Sequence, residues 1–334
     1  MRSLGDPWTL GDVHLANRVL LAPLAGIGNW FVRLQARRYG AGLAVSEMVS
    51  SHAVHYRNPR TLRELLRIHP EEHPVSIQLF GSDPDVMRSA AAQVAAAGAD
   101  LIDLNMGCPV PKVLKTGAGA ALLSDHDRAV AVARAAVEGG RCPVTVKLRS
   151  GRRPGEQDGI ALAHRLVKEA GVAGVGFHPR SAAVGHTGHP DYDLAAALVQ
   201  SLPAPVIVSG GLGDAEHIRW VFAHTGCEAV MLARGALGNP WLFAQLLDTG
   251  SLPPSRDQVL DELDWVMVRA AEHLGEERAA RYLRQFYPWY LGHLGADAAV
   301  RNVLQRTASL RDARALLDDL RGSKPPAPGS VLAA

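Results

Sequence analysis

The sequence predicts an α/β fold in which eight short apolar segments alternate with helical segments. Uninterrupted apolar runs are typical of parallel strands that are covered on both faces. Because eight such units fit within the first 248 residues, the pattern favours a TIM (β/α)8 barrel over an open doubly wound sheet. No Gly-x-Gly-x-x-Gly fingerprint follows the first segment, which weighs against a dinucleotide-binding sheet. The predicted strands cover residues 19–22, 43–45, 75–79, 100–104, 144–148, 173–177, 206–208 and 229–232.

The helices between these strands have recognisable ends. Asp83, which precedes a proline, caps one helix, Ser124 begins a second, and Asp214 caps a third that Gly226 ends. Side-chain oxygens at such positions accept hydrogen bonds from backbone N–H groups that have no partner in the first turn of a helix. The alternation of strands and capped helices supports the barrel.

A change of composition after residue 248 separates the barrel from a helical region. Residues 250–254 read Gly-Ser-Leu-Pro-Pro, which is typical of a linker, and Ser255 with Gln258 forms a capping box. Further helices are predicted over residues 276–286, 296–307 and 310–320, without any strand signal. We therefore expect a barrel domain over residues 1–248, a small all-α domain over residues 255–322 and a disordered tail over residues 323–334.

The composition is ordinary for a soluble globular protein, with 47% hydrophobic residues, 20% charged residues and a net charge of +2. A charge so close to zero does not indicate a general nucleic-acid binder, so any basic surface must be local. The three cysteines, Cys108, Cys142 and Cys227, are too widely spaced for a zinc cluster and fit a reducing compartment. With no signal peptide and no membrane-spanning run, we expect a cytoplasmic protein without a metal or an obligate protein partner.

Small and polar residues follow the predicted strands, at the end of the barrel where active sites form. Ser209-Gly210-Gly211 and Ala233-Arg234-Gly235 follow the last two strands and supply backbone N–H groups and a positive charge. Together they favour a phosphate-binding cradle, although a Gly-Gly pair alone is explained equally well by a turn. The other residues at or beside strand ends are Pro23, Leu24, Ala25, Gln78, Cys108, Lys147, His178 and Arg180.

An ordered set of short motifs resembles the tRNA-dihydrouridine synthase family of bacterial type. The similarity runs from about residue 20 to residue 242 and continues weakly to about residue 290. Each motif is weak alone, but their order is specific. The motifs are Ala22-Pro23-Leu24-Ala25-Gly26, Ser46-Glu47-Met48, Gln78-Leu79-Phe80-Gly81-Ser82, Asn105-Met106-Gly107-Cys108-Pro109 with Lys112-Val113, Lys147-Leu148-Arg149, His178-Pro179-Arg180, and Arg234-Gly235-x-x-Gly238-Asn239-Pro240-Trp241.

The resemblance implies an enzyme that reduces uridines in tRNA to 5,6-dihydrouridine, with FMN as cofactor and NADPH as electron donor. It implies an FMN-binding TIM barrel followed by a helical tRNA-binding domain, in agreement with the division above. It also implies Cys108 as the proton donor and Asn105 as a residue that positions the uracil. The FMN contacts that it implies are Pro23, Leu24, Ala25, Gln78, Lys147, His178, Ser209, Gly210, Gly211, Ala233 and Arg234.

Gln78, Lys147 and His178 each have two interpretations. The buried amide of Gln78 needs a partner, and either the pyrimidine edge of a flavin or a backbone group provides one. Lys147 either stabilises negative charge on a reduced flavin or has a structural role. In the structural role it extends past the strand end toward solvent or pairs with Asp103. His178 either binds a flavin or substrate carbonyl or has a structural role.

Cys108 lies in a polar loop between a glycine and a proline, where we expect an accessible thiol. Reduction of a conjugated C=C bond requires a hydride on one carbon and a proton on its neighbour, and a protonated thiol supplies the latter. A covalent nucleophile would need an activating base or positive field, and inert packing is the remaining alternative. We expect an acid role for Cys108, and buried packing for Cys142 and Cys227.

We expect basic side chains to bind the tRNA, mainly through its phosphates. These are Lys112, Lys115, Arg180, Arg281 and Arg284.

The chain also departs from the family pattern. Ser209-Gly210-Gly211 replaces a usual Asn-Gly-Asp, Ala233 and Pro179 replace usual glycines, and Arg284-Gln285-Phe286 replaces Arg-Lys-His. The alternatives to the tRNA reaction are an FMN oxidoreductase acting on a free pyrimidine or enone, and a non-catalytic tRNA-binding relative.

Overall fold

The structure is a computed structural model that describes residues 2–248, 251–296 and 298–322. These residues form two compact units. The first contains the described chain up to Gly235 and resumes at Leu242 as far as residue 248, and the second contains Ala236–Trp241 and the described residues from 251 onward. Residue 250 of the predicted linker and the predicted tail over residues 323–334 lie outside the described residues.

The first unit is a closed parallel barrel, as predicted. Strands β3, β4, β6, β7, β8, β9, β10 and β11 pair in that order, and β11 pairs with β3 to close the circle. Each of the eight predicted strands is present, with ends that differ by at most one residue. The strands are β1 Trp8–Leu10, β2 Val13–Leu15, β3 Val19–Leu21, β4 Leu43–Val45, β5 Val49–Ser50, β6 Val75–Phe80, β7 Leu101–Asn105, β8 Val144–Arg149, β9 Gly174–His178, β10 Val206–Ser209 and β11 Ala229–Leu232.

Two short features of the structure have no counterpart among the predicted strands. β1 and β2 form an antiparallel hairpin, and β5 adds a two-residue parallel pairing to the end of β6. Trp8, Leu10 and Leu15 of the hairpin belong to one buried cluster with residues of the barrel strands, including Leu20 and Ile207. The hairpin therefore extends the apolar core of the barrel. Strands of two or three residues are too short to show a period-2 pattern.

The helices of the first unit pack around the strands. Asp83 and Asp214 cap α3 and α8 as predicted, through backbone N–H groups at 2.9–3.1 Å. The start predicted at Ser124 is wrong by one position, because Asp125 accepts the capping bond from the Arg128 N–H at 3.1 Å, and Ser124 ends a short 3-10 segment. The helices are α1 Trp30–Arg38, α2 Ser51–His55, α3 Pro84–Ala96, α4 Pro111–Leu114, α5 His126–Gly140, α6 Asp158–Arg165, α7 Tyr192–Ser201, α8 Ala215–Thr225 and α9 Trp241–Leu247.

The second unit is helical in its described residues. Ser255 and Gln258 make the predicted capping box at the start of α10, with bonds of 2.8 and 3.3 Å. The single helix predicted over residues 276–286 is wrong, because α11 ends at Leu283 and a new helix starts at Tyr287. Pro288 in the first turn of that helix has no N–H to continue the earlier one. The helices are α10 Arg256–Leu274, α11 Glu276–Leu283, α12 Tyr287–His293, α13 Ala298–Arg306 and α14 Leu310–Gly322.

No helix within the described parts of the chain is both long and apolar enough to cross a membrane.

Candidate active site

A cavity of about 750 Å³ opens at the carboxyl ends of the barrel strands. Side chains and backbone from the strand ends and the loops that follow them form its lining, as the parallel topology requires. The structure thus brings together residues that are spread over more than 200 positions of the sequence. The predicted site residues in the lining are Pro23, Leu24, Ala25, Gln78, Asn105, Cys108, Lys147, His178, Arg180, Ser209, Gly210, Gly211, Ala233 and Arg234.

Lys147, near the end of β8, is partly buried in the cavity. Its Nζ donates a hydrogen bond to the Ser209 hydroxyl at 2.9 Å. Burial, and the nearby positive charge of Arg149, lower the pKa of Lys147 to about 8. Of the alternatives, the hydrogen bond to Asp103 is not made. The amine is therefore held at the cavity with a weakened preference for its charged form.

A buried chain of polar side chains holds Gln78. Gln78 Nε2 donates to Asp103 Oδ2 at 2.6 Å, and Asn105 Nδ2 donates to Gln78 Oε1 at 2.9 Å. The Thr145 hydroxyl donates to the other Asp103 oxygen at 2.6 Å. Burial raises the pKa of Asp103, while the bonds from Thr145 and Gln78 act against that rise. The partners of Gln78 are thus side chains rather than backbone groups, and they orient its amide.

The loop that carries Cys108 is shaped by Asn105. Asn105 Oδ1 accepts hydrogen bonds from the N–H groups of Gly107 and Cys108 at 3.3 and 3.0 Å. The Cys108 carbonyl accepts a bond from the Ala120 N–H at 3.0 Å. Gly119 lies against the same carbonyl with φ +63°, and a Cβ there would be 2.6 Å from the oxygen. The half-buried thiol therefore lies on a braced loop in the cavity wall.

His178 and Arg180 form a buried pair. His178 Nε2 lies 3.2 Å from Arg180 Nη1, and its ring stacks on His186 with centroids 5.9 Å apart. Burial and then the charges of Lys147 and Arg149 lower the pKa of His178 strongly, so the imidazole is neutral. Its ring nitrogen is thereby free to accept the hydrogen bond from Arg180.

Two basic residues of the cavity lining, Arg149 and His186, are not among the predicted site residues. Arg149 donates from Nη1 to the carbonyl oxygens of Ser181 and Gly185 at 3.1 and 2.7 Å, and burial lowers its pKa to about 10. It lies two positions after Lys147 on the same strand, so the period of two is a signal that identifies it. His186 lies in an irregular loop, and its sequence context carries no comparable signal.

The charge of the cavity is uniformly positive. Its lining contains Lys147, Arg149, Arg180 and Arg234, and no aspartate or glutamate is among the described lining residues. Beside these side chains, Gly210 and Gly211 have φ values of +98° and +78°. A Cβ at Gly210 would lie 2.2 Å from the His178 ring, so only glycine fits. Cations with exposed glycine backbone suit an anionic ligand such as a phosphate.

The remaining predicted site residues lie outside this cavity. Lys112 on α4 and Lys115 just after it are exposed. Arg281 is exposed on α11 of the helical unit and pairs with Glu277 at 2.7 Å. Arg284 is half-buried and donates to the Thr307 carbonyl at 3.3 Å. Their contact with RNA stays a prediction.

The barrel and its site define the class of protein as a TIM-barrel enzyme with a cationic cavity and a cavity thiol. The sequence profile of the dihydrouridine synthase family matches residues 20–323. The chain belongs to the dihydrouridine synthase family.

Two related sequences are consistent with this family membership. The chain is 38% identical to a probable tRNA-dihydrouridine synthase of Mycobacterium tuberculosis over 333 residues, which covers 95% of this chain and 85% of that protein. It is 37% identical to tRNA-dihydrouridine synthase B of Pseudomonas aeruginosa over 292 residues, which covers 85% and 87%.

Similar solved structures show the fold alone. Morphinone reductase bound to tetrahydroNAD superposes with a TM-score of 0.54 at 16% identity, and covers 78% of this chain and 94% of its own. 2-Naphthoyl-CoA reductase superposes with a TM-score of 0.60 at 12% identity, and covers 73% and 52%. The barrel architecture is therefore shared with reductases of distant sequence.

Proposed function

We propose that this protein is a tRNA-dihydrouridine synthase, which reduces uridines of tRNA to 5,6-dihydrouridine with FMN as cofactor and NADPH as electron donor. The observation that carries the proposal is the cationic cavity, in which Cys108 and all eleven predicted cofactor contacts meet. Family membership supports a flavin, and the identity of the two named relatives supports tRNA as the substrate.

The residues of the cavity fit FMN. Gly210, Gly211 and Arg234 offer backbone N–H groups and a charge to its phosphate, and a Cβ at Gly210 would collide with the His178 ring beside this cradle. Gln78 presents an oriented amide, and Lys147 a cation, to the ring system. An anion beside Lys147 favours its charged form, against the effect of burial.

FMN held by these residues would supply the hydride that carbon 6 of the uracil ring receives. Cys108 donates the proton to carbon 5, and Asn105 fixes the backbone that carries this thiol. A base inside folded tRNA must turn out of its stack to reach this cavity. Arg180 and Arg149 lie in the cavity wall, where they attract the phosphates of that nucleotide. We assign Cys108 the role of acid rather than covalent nucleophile.

We propose that residues 1–248 form the FMN-binding catalytic domain and residues 255–322 the tRNA-binding domain. Lys112, Lys115, Arg281 and Arg284 then contact the tRNA outside the reacting base, and the protein works in the cytoplasm, where its substrate is found. The exposed positions of the two lysines and of Arg281 support this assignment.

The test is a reaction of the purified protein with unmodified tRNA and NADPH. We expect a yellow protein that releases FMN on denaturation, and dihydrouridine among the nucleosides of the digested tRNA, measured by mass spectrometry. A protein that stays colourless after addition of FMN refutes the cofactor assignment. Turnover of free pyrimidines or enones without any dihydrouridine in tRNA supports the small-molecule alternative, and RNA binding without flavin supports a non-catalytic relative.

A further inference from the structure

Tyr192, the first residue of α7, lies directly behind the glycine cradle. Its hydroxyl donates a hydrogen bond to the Gly210 carbonyl at 2.8 Å and lies 3.2 Å from His217 Nε2. A phenol has one proton, so the hydroxyl that donates to Gly210 accepts from the histidine. The ring is buried and packs against His217 and Trp220, with centroids 5.6 and 5.9 Å away. Burial raises the pKa of Tyr192 to about 12, so it remains a donor.

The bond from Tyr192 sets the direction of the next peptide N–H. In a trans peptide the carbonyl and the following N–H point in opposite directions, and the peptide between Gly210 and Gly211 is trans. Because the Gly210 carbonyl points to Tyr192, the Gly211 N–H points away from it. Both glycines line the cavity, and no acceptor for the Gly211 N–H is present among the described residues.

The approach of Tyr192 depends on the absence of a side chain at residue 211. A Cβ on Gly211 would lie 2.6 Å from the Tyr192 hydroxyl and 2.9 Å from Pro190. The Ser209 hydroxyl beside it accepts a bond from Lys147 and donates to the Phe177 carbonyl. The glycine at position 211 therefore leaves the space into which the Tyr192 phenol packs.

We propose that Tyr192 is a positioning residue for the phosphate of FMN. Its hydroxyl holds the Gly210–Gly211 peptide in the orientation that presents the Gly211 N–H to the phosphate. The inference rests on the proposed function in one respect, that FMN is the ligand of this cavity. It assigns a role to a residue that itself does not touch the cofactor.

The test compares two ligands that differ only in the phosphate. Dissociation constants of FMN and riboflavin are measured with the apoprotein by flavin fluorescence, for the wild type, Tyr192→Phe and the control Tyr287→Phe. Tyr287 is a buried tyrosine of the helical unit. We expect Tyr192→Phe to weaken FMN binding about tenfold, because the Gly211 N–H is then no longer held toward the phosphate and a hydrogen bond to a charged group is among the stronger ones. Riboflavin binding is expected to stay within about twofold in both variants.

The ratio of the two constants keeps the test independent of folding. Partial unfolding raises both apparent constants by the same factor, and therefore leaves their ratio unchanged. His217→Ala, which removes the second partner of the hydroxyl, is expected to lower FMN affinity selectively by a smaller factor. A ratio of the FMN and riboflavin constants that is unchanged in both Tyr192→Phe and His217→Ala overturns the inference. Failure of the wild type to bind FMN refutes the proposed function instead, so the two failures are distinguishable.

Discussion

Replacement of Lys147 by methionine is expected to stabilise the apoprotein and weaken FMN binding. The pKa of Lys147 falls from an ordinary value of 10.5 to about 8 on folding. This lowering corresponds to about 3 kcal/mol against the charged form below pH 8. The side chain is only partly buried, so we expect about 2 kcal/mol of this cost in practice. The variant also loses the hydrogen bond to Ser209, which offsets about 1 kcal/mol of the stability gained by removing the charge.

The expected net gain for Lys147→Met is therefore about 1 kcal/mol at pH 7. The sign follows from linkage: the lysine is charged in both states below pH 8, where the cost is complete. Between about pH 8 and pH 10.5 the folded protein has lost the proton while the unfolded chain keeps it, so the stability of the wild type rises with pH. The advantage of the variant is accordingly expected to disappear as the pH rises through this window.

Urea unfolding of the apoprotein at pH 7 and pH 9.5 measures the difference, with the FMN dissociation constant measured at pH 7. Lys168→Met serves as the control, because Lys168 is an exposed lysine of the same barrel. A variant that is less stable than the wild type by the same amount at both pH values refutes the reasoning. So does FMN binding that is unchanged, because Lys147 then places no useful charge in the cavity.

The remaining predictions concern catalysis and RNA binding. Cys108→Ala is expected to retain FMN and its reduction by NADPH, and to slow the reduction of tRNA by about 10²–10⁴-fold. Stopped-flow measurement of the two half-reactions checks this expectation. If the rate of tRNA reduction is unchanged, the proton donor is another group. Affinity for tRNA is expected to fall with salt, with a log–log slope of about −0.7 to −0.9 for each phosphate contact. Lys112→Ala with Lys115→Ala is expected to flatten that slope by about 1.4–1.8 without changing FMN affinity; titrations from low to high salt test it, and an unaltered slope places the contacts elsewhere.

The barrel was predictable because its signals are local. A parallel strand buried on both faces is a short apolar run, and a capped helix begins with a side chain that bonds within three residues, as at Asp83 and Asp214. The elements that escaped prediction are those whose signal is not local or is too short. The β1–β2 hairpin belongs here, since its three-residue strands are recognisable chiefly by their packing on the barrel core. The break between α11 and α12 had a local signal, Pro288, that the periodic pattern around it obscured.

The candidate site divides in the same way. The order of strands and loops determined by itself which residues meet at one end of the barrel, because all parallel strands end on the same side. The hydrogen-bond partners were decided by the tertiary structure. Lys147 bonds to Ser209 across 62 positions and Gln78 to Asp103 across 25, through spacings that follow from strand register and barrel closure. Burial decided the charges as well, because the pKa of Lys147 depends on the solvent that the fold excludes, which no local pattern of residues records.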